Sequence, residues 1–261
     1  MAQSVKALFD LSERKAVVVG GGSGLGQAGA LALAEFGAHV VVGDFNMAAA
    51  EETVRQITAA GGTGQACELD VTSTDAVTAA AAEHSDAEVL VITPGYNARK
   101  RLLNTTDEDF DKVIDVNLKG TYRLMRAFGA TMAGRGKGSI ITFASFRALV
   151  VEPGQGIYAA AKAGVVQLTK TMATELGTAG VRVNALLPGA FETPLTRQIK
   201  DDPQWWSAYE QKSPLKRWGQ PHELAGAIVF LACDASSFVT GSSMLVDGGW
   251  MANDGRFEPK V

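Results

Sequence analysis

Short, unbroken apolar runs alternate with longer Ala- and Leu-rich stretches along nearly the whole of this sequence. That rhythm limits the fold more than any single residue does. Lys15 to Val19, His39 to Val42, Gln65 to Leu69, Glu88 to Ile92, Ser139 to Phe143, Arg182 to Leu186 and Ser243 to Val246 read as strands. Gly24 to Phe36, Met47 to Ala59, Ser73 to Glu83, Asp107 to Ala133, Gly156 to Thr178 and Pro221 to Cys233 read as helices. Gly37 and Gly61-Gly62 stop two of them, Ser73 or Thr74 caps a third, and Pro221 opens the last. Strands this short and apolar, alternating with helices, predict an α/β fold whose parallel sheet is covered on both faces. Right-handed crossovers make it a doubly wound, three-layer α/β/α sheet of about seven strands, the Rossmann fold. No linker or composition shift divides the 261 residues, so a single domain over 1–261 is expected. Two stretches break the rhythm: the basic Asn97 to Thr106, and Ala190 to Trp218 with Trp205, Trp206, Tyr209 and Trp218. Insertions in such sheets sit over the crevice at the carboxyl ends of the strands. The residues near 190–218 therefore read either as a lid or as packing against another subunit.

Val19-Gly20-Gly21-Gly22-Ser23-Gly24-Leu25-Gly26 joins the first strand to the first helix. Glycines let backbone approach a pyrophosphate, and the helix N-terminus offers it N–H groups. Asp44 ends the second strand about 20 residues on, where an acid accepts from both adenosine ribose hydroxyls of NAD and repels the 2′-phosphate of NADP. Ser23, Phe45 and Asn46 are not basic, which also favours NAD. Asp70 reads as an acceptor for the adenine amine or as a helix cap.

The net charge is -4, which argues against nucleic acid as a partner. Cys67 and Cys233 read as two buried thiols, and His39, His84 and His222 are scattered, so no metal is expected. Met1 to Glu13 lacks a signal-peptide core and no apolar run reaches membrane-spanning length. No membrane partner and a cytoplasmic location are expected.

Tyr158 and Lys162 lie four residues apart on a predicted helix and so share a face. An ammonium there is expected to lower the phenol pKa, as acid/base work on an alcohol or carbonyl needs. Ser145 follows the fifth strand, placed to hold a substrate oxygen. Asn117, a mediocre helix former inside Asp107 to Ala133, suggests polar work, such as holding a water between Lys162 and solvent.

From residue 9 to 250 the chain resembles the short-chain dehydrogenase/reductase family. The resemblance rests on Gly20, Gly24 and Gly26, on Asn117, Ser145, Tyr158 and Lys162, and on Pro188-Gly189 and Val246-Asp247-Gly248-Gly249. It implies a secondary alcohol–ketone oxidoreductase whose catalytic set is Asn117, Ser145, Tyr158 and Lys162. The cofactor set it implies is Gly20, Gly22, Ser23, Gly24, Leu25, Gly26, Asp44, Phe45, Asp70, Val71 and Gly95. Tyr158, Lys162, Pro188, Gly189, Phe191 and Thr193 join that set, with backbone near Phe191 and the Thr193 hydroxyl on the carboxamide. A homotetramer is implied as well. Two departures stand out: Val19 replaces the usual Thr, and Thr93-Pro94-Gly95 replaces Asn-Ala-Gly. Thr93 is expected to substitute for that Asn only in part, and Pro94 lacks a donor.

The expected substrate is a small molecule bound by Ser145, Tyr158, Arg147, Gln155, Arg99 and Arg101. The basic residues suit an anion, or alternatively form a solvated loop or subunit contact. Asn97 to Arg101, Pro188 to Thr196 and Pro214 to Gly219 are similar to gluconate 5-dehydrogenases and 2-deoxy-D-gluconate 3-dehydrogenases. That similarity implies a sugar acid, polyol or other hydroxy acid in carbohydrate metabolism. A 3-oxoacyl-carrier-protein reductase-like ketoreductase is the alternative, disfavoured by Asp44. A non-catalytic NAD(H)-binding redox sensor is the second, disfavoured by the complete tetrad.

Overall fold

Seven strands form one sheet in the order β3-β2-β1-β4-β5-β6-β7 in a computed structural model that describes residues 4–253. They are β1 (Lys15–Val19), β2 (His39–Asp44), β3 (Thr63–Glu68), β4 (Val89–Ile92), β5 (Gly138–Phe143), β6 (Val181–Pro188) and β7 (Ser243–Val246). Every pairing is parallel. The sheet is the doubly wound Rossmann arrangement expected from the rhythm, with the order reversing between β1 and β4. At that reversal the crossovers leave to opposite faces and open a crevice at the carboxyl ends.

Helices α1 (Gly24–Glu35), α2 (Met47–Ala59), α3 (Thr74–Glu83), α4 (Asp107–Ile114), α5 (Gly120–Arg135), α6 (Gly156–Leu176), α7 (Arg197–Lys200), α8 (Pro203–Lys212) and α9 (His222–Ala232) accompany the sheet. One apolar core joins Val18, Val40 and Val91 to Leu33 of α1 and Ile228 of α9. A second joins Val17, Leu90 and Ile140 to Leu124 and Phe128 of α5. Each fully buried Leu, Ile or Phe stabilises the fold by about 1.5–3 kcal/mol relative to exposure.

The central strands are buried on both sides, but the edge strands β3 and β7 alternate between exposed and half-buried positions. Cys67 lies on β3 and is therefore only half-buried; the expectation of two buried thiols holds for Cys233 alone. Ser73, not Thr74, caps α3, accepting from Ala76 N–H at 3.2 Å.

The predicted helix from Asp107 to Ala133 is helical throughout but not uniform. Between α4 and α5 the residues Asp115–Lys119 form a π-turn, and Asn117 is buried in it. Such a turn inserts an extra residue and leaves the apolar periodicity on either side readable as one helix.

Candidate active site

The carboxyl ends of β1, β2 and β4 border a groove of about 660 Å³. Gly20, Ser23, Gly24, Leu25 and Gly26 line one wall, and Asp44, Phe45, Asp70 and Val71 line its far end. Gly95 and Thr193 line both this groove and an adjoining cavity. The glycines are required sterically. Gly20 has φ +77, and a Cβ there would stand 2.5 Å from Thr93 Oγ1; one on Gly26 would stand 2.2 Å from the Gly20 carbonyl oxygen. Ser23 occupies the N-cap of α1 without making a side-chain cap bond, which leaves first-turn N–H groups for a phosphate. Gly22 lines neither space; its N–H donates to Asp44 Oδ2 at 3.0 Å, while Asn46 N–H donates to Oδ1 at 3.0 Å. Asp44 is thus held with both oxygens oriented beside the groove. Lys112, the cation that lines the groove among the described residues, packs over the Tyr96 ring at 4.5 Å. These residues fit a dinucleotide. Asp70 does not cap α3; its Oδ1 accepts from Thr72 N–H and Oγ1, both at 2.8 Å.

The adjoining cavity, about 110 Å³, is bordered by Ser145, Tyr158 and Lys162. Pro188, Gly189 and Phe191 line it as well. The Phe191 ring is buried, and its carbonyl accepts from Thr196 Oγ1 at 2.8 Å. Ser145 Oγ accepts from Arg147 N–H at 3.1 Å, which leaves the hydroxyl hydrogen to point elsewhere. Lys162 Nζ donates to the Phe143 carbonyl at 2.8 Å and lies 5.6 Å from the Tyr158 ring centre. Burial pushes the Lys162 ammonium down to about 8. The expectation that Lys162 lowers the Tyr158 pKa is corrected. Burial raises the phenol above its ordinary value, outweighing the Ser145 hydrogen bond and the charges of Arg99 and Arg147 that pull it down.

Asn117, expected to hold a relay water, has its side chain committed elsewhere. Nδ2 donates to the carbonyls of Tyr96 (2.7 Å) and Val113 (2.8 Å), and Oδ1 accepts from Tyr96 N–H at 3.3 Å. It fixes the chain just after Gly95 against the π-turn. Thr93 ties the same region to the glycine loop, its hydroxyl reaching the carbonyls of Val19 (2.8 Å) and Gly20 (3.1 Å).

The three basic candidates, and Lys100 beside them, separate. Arg101 is exposed and outside the cavity lining, and Lys100 pairs with Asp109 at 2.7 Å. Arg147 borders the cavity, but its guanidinium is buried against Glu152 (2.7 Å) and the Tyr209 hydroxyl (2.8 Å). Gln155 borders it too, accepting from Asn97 Nδ2 at 2.9 Å and donating to Glu152 in a short contact. Arg99 differs. It packs over Trp205 at 5.5 Å, and its Nη1 is buried with no hydrogen-bond partner among the described residues. Asn97 Oδ1, in the same cavity wall, is likewise buried and unpartnered.

Residues 190–218 contribute Phe191, Thr193, Ile199, Tyr209 and Trp218 to the lining of this cavity. Trp206 stacks on Trp218 at 4.0 Å, Tyr209 stacks on Trp218 at 5.1 Å, and Phe146 and Trp250 close the cluster. Sequence reasoning passed over Glu152 and Asn97; the Glu-Pro-Gly turn before α6 was the one local signal near the first.

The family model described as Enoyl-(Acyl carrier protein) reductase matches residues 20–251. The chain is 36% identical to galactitol 2-dehydrogenase (L-tagatose-forming) of Cereibacter sphaeroides, over 94% of this chain and 98% of that one. It is 39% identical to a 3-oxoacyl-[acyl-carrier-protein] reductase of Synechocystis, over 92% and 97%. The crystal structure of a gluconate 5-dehydrogenase from Burkholderia cenocepacia, in complex with NADP and tartrate, superposes with a TM-score of 0.90. It is 35% identical, with 94% of this chain and 98% of that one covered.

Proposed function

Because the chain belongs to the short-chain dehydrogenase/reductase family, oxidoreductases that act on alcohols with a nicotinamide cofactor, we propose that it is an NAD(H)-dependent dehydrogenase of a small anionic hydroxy compound. A sugar acid is the favoured class. The observation that carries the substrate class is Arg99 Nη1, buried without a partner beside Ser145 and Tyr158. A buried guanidinium nitrogen without an acceptor is costly, and a carboxylate in the cavity supplies one. Asn97 Oδ1 is an acceptor awaiting a donor, which a neighbouring hydroxyl would satisfy. NAD over NADP is supported by Asp44 and by a groove lining in which Lys112, packed over Tyr96, is the one lysine or arginine among the described residues.

The bound nicotinamide supplies the two-electron chemistry. The chain supplies orientation and proton handling. Ser145, whose hydroxyl hydrogen-bonds Tyr158, turns that hydrogen to the substrate oxygen, and Tyr158 takes the alcohol proton as phenolate in oxidation or gives its proton as phenol in reduction. Lys162, with its pKa near 8, is charged at neutral pH and is held at the cavity wall by the Phe143 carbonyl; Ser145, Arg99 and Arg147 are the groups that favour the phenolate. Asn117 acts by holding the loop after β4.

A single domain with residues 190–218 as a lid, a homotetramer and a cytoplasmic location belong to the same proposal. The exposed side chains of Leu103, Val151 and Phe238 support association. Among the described residues no helix is long and apolar enough to cross a membrane. The 3-oxoacyl reductase reading is favoured by the Synechocystis relative, and Arg99 weighs against it in this cavity. The test is a coupled screen of D-gluconate, galactitol and an acetoacetyl thioester with each cofactor. Turnover of D-gluconate with NAD well above the others supports the proposal; preference for the thioester with NADPH removes it.

A further inference from the structure

Glu152 lies in the loop between Leu149 and α6 and belongs to none of the motifs described above. Its carboxylate nevertheless gathers four donors from two parts of the molecule. Oε2 accepts from Arg147 Nη2 at 2.7 Å and, in two short contacts, from Gln155 Nε2 and the Tyr209 hydroxyl. Oε1 accepts from the Trp205 indole N–H at 3.2 Å. Tyr209 and Trp205 belong to α8, which brings Tyr209 to the cavity lining. Arg147 and Gln155 belong to the segments that carry Ser145 and Tyr158.

The connections continue on both sides. Gln155 Oε1 accepts from Asn97 Nδ2 at 2.9 Å, which turns Asn97 Oδ1 into the cavity wall. The Trp205 ring supports the Arg99 guanidinium at 5.5 Å. Thus both polar atoms left unpartnered in the cavity among the described residues are one residue removed from Glu152.

We propose that Glu152 is a positioning residue: it latches α8 over the cavity and, through Gln155 and Trp205, sets the orientation of Asn97 and Arg99. Charge is what allows one carboxylate to hold four donors. Hydrogen bonds to an ionised acceptor are about twice as strong as neutral ones. α8 has ten residues, too few to be stable by itself, so tertiary contacts hold it in place. The aromatic stack on Trp218 holds the helix from below; Glu152 joins it to the catalytic side.

This role does not depend on which alcohol is oxidised. Glu152→Gln keeps the shape but sets an amide NH₂ against donors, and Tyr209→Phe removes the Tyr209 bond to Glu152 together with the one it accepts from Arg147. Hydrogen exchange is measured on wild type and both variants, alongside NADH binding and NAD-linked oxidation of D-gluconate. In Glu152→Gln the amides of residues 203–212 exchange at least about tenfold faster, with a smaller rise in Tyr209→Phe, while β1, β4 and β5 keep their protection. NADH affinity stays within about twofold, and the KM for D-gluconate rises about tenfold with kcat within about threefold. Unchanged exchange at 203–212 in both variants overturns the latch, and so does a uniform loss of protection across the sheet. Failure of wild type to oxidise D-gluconate counts against the substrate proposal alone, since exchange still decides the latch.

Discussion

The Lys162 ammonium lies 5.6 Å from the centre of the Tyr158 ring, with both groups buried. It is held by the Phe143 carbonyl at 2.8 Å. Holding a charge there has a measurable cost. Lys162 is pushed from 10.5 down to about 8, so below pH 8 folded and unfolded chains both carry the proton and the folded state bears the burial penalty. Between 8 and 10.5 the unfolded chain binds more protons, so this contribution to stability rises with pH. Wild type should therefore gain on Lys162→Met by up to about 3 kcal/mol across that window. Urea unfolding of both proteins near pH 7 and near pH 10 measures the gain. A gap that stays constant, or widens against wild type, would show that Lys162 is not desolvated.

Asp44 presents one carboxylate oxygen to Gly22 N–H and the other to Asn46 N–H, each at 3.0 Å. Those bonds orient it toward the groove before any ribose arrives. Asp44→Ala removes charged acceptors worth about 1.5–3 kcal/mol, so the KM for NAD should rise about 10- to 100-fold. The relative rate with NADP should rise, because the repulsion of its 2′-phosphate is lost. Steady-state kinetics with both cofactors decides it; an unchanged preference would remove Asp44 as the selector.

How far the sequence foretold this site depended on the range of each interaction. The glycine loop was readable because strand, turn and helix follow one another within Lys15 to Glu35. Tyr158 and Lys162 were readable because one helix turn joins them. The π-turn around Asn117 was not, since an added residue between two amphipathic segments leaves no mark in the apolar period. Glu152 was not, because its partner Tyr209 is 57 residues distant. Arg99, Arg101 and Arg147 all read as candidates for a substrate anion in the sequence, with Lys100 between the first two. What separates them is which acid each meets, and Asp109 and Glu152 are found only on folding. The direction of the Tyr158 shift was misread because sequence shows the neighbouring charge but not the depth of burial.

Arg99 gives the sharpest test of substrate class. Arg99→Met keeps an apolar stem over Trp205 and removes the guanidinium. The KM for D-gluconate should rise about 10- to 100-fold, the cost of a lost charge-assisted hydrogen bond. The KM for the neutral polyol galactitol should move less than about threefold by the same reasoning. Arg101→Ala, at an exposed position outside the cavity, should leave both unchanged. Equal losses for the acid and the polyol would mean that Arg99 shapes the cavity without reading charge.

Thr93 carries the departure from the family's usual asparagine, and its geometry fixes what its loss should do. The hydroxyl serves the carbonyls of Val19 and Gly20 at 2.8 and 3.1 Å, while the backbone N–H of Thr93 donates to Val19 at 3.0 Å. One residue therefore ties the end of β4 to the end of β1 and to the first turn of the glycine loop. Pro94, without an N–H, adds no donor to that tie. Thr93→Val keeps the volume and removes the hydroxyl, leaving two carbonyls without this partner. The position is half-buried, so water recovers part of the loss, and the expected destabilisation is about 1–2 kcal/mol. It should appear as a lower urea midpoint at unchanged slope. NADH affinity should fall as well, because Gly20 would no longer be held where its carbonyl meets Gly26. A variant as stable as wild type and as tight for NADH would mean that the backbone bond from Thr93 to Val19 suffices.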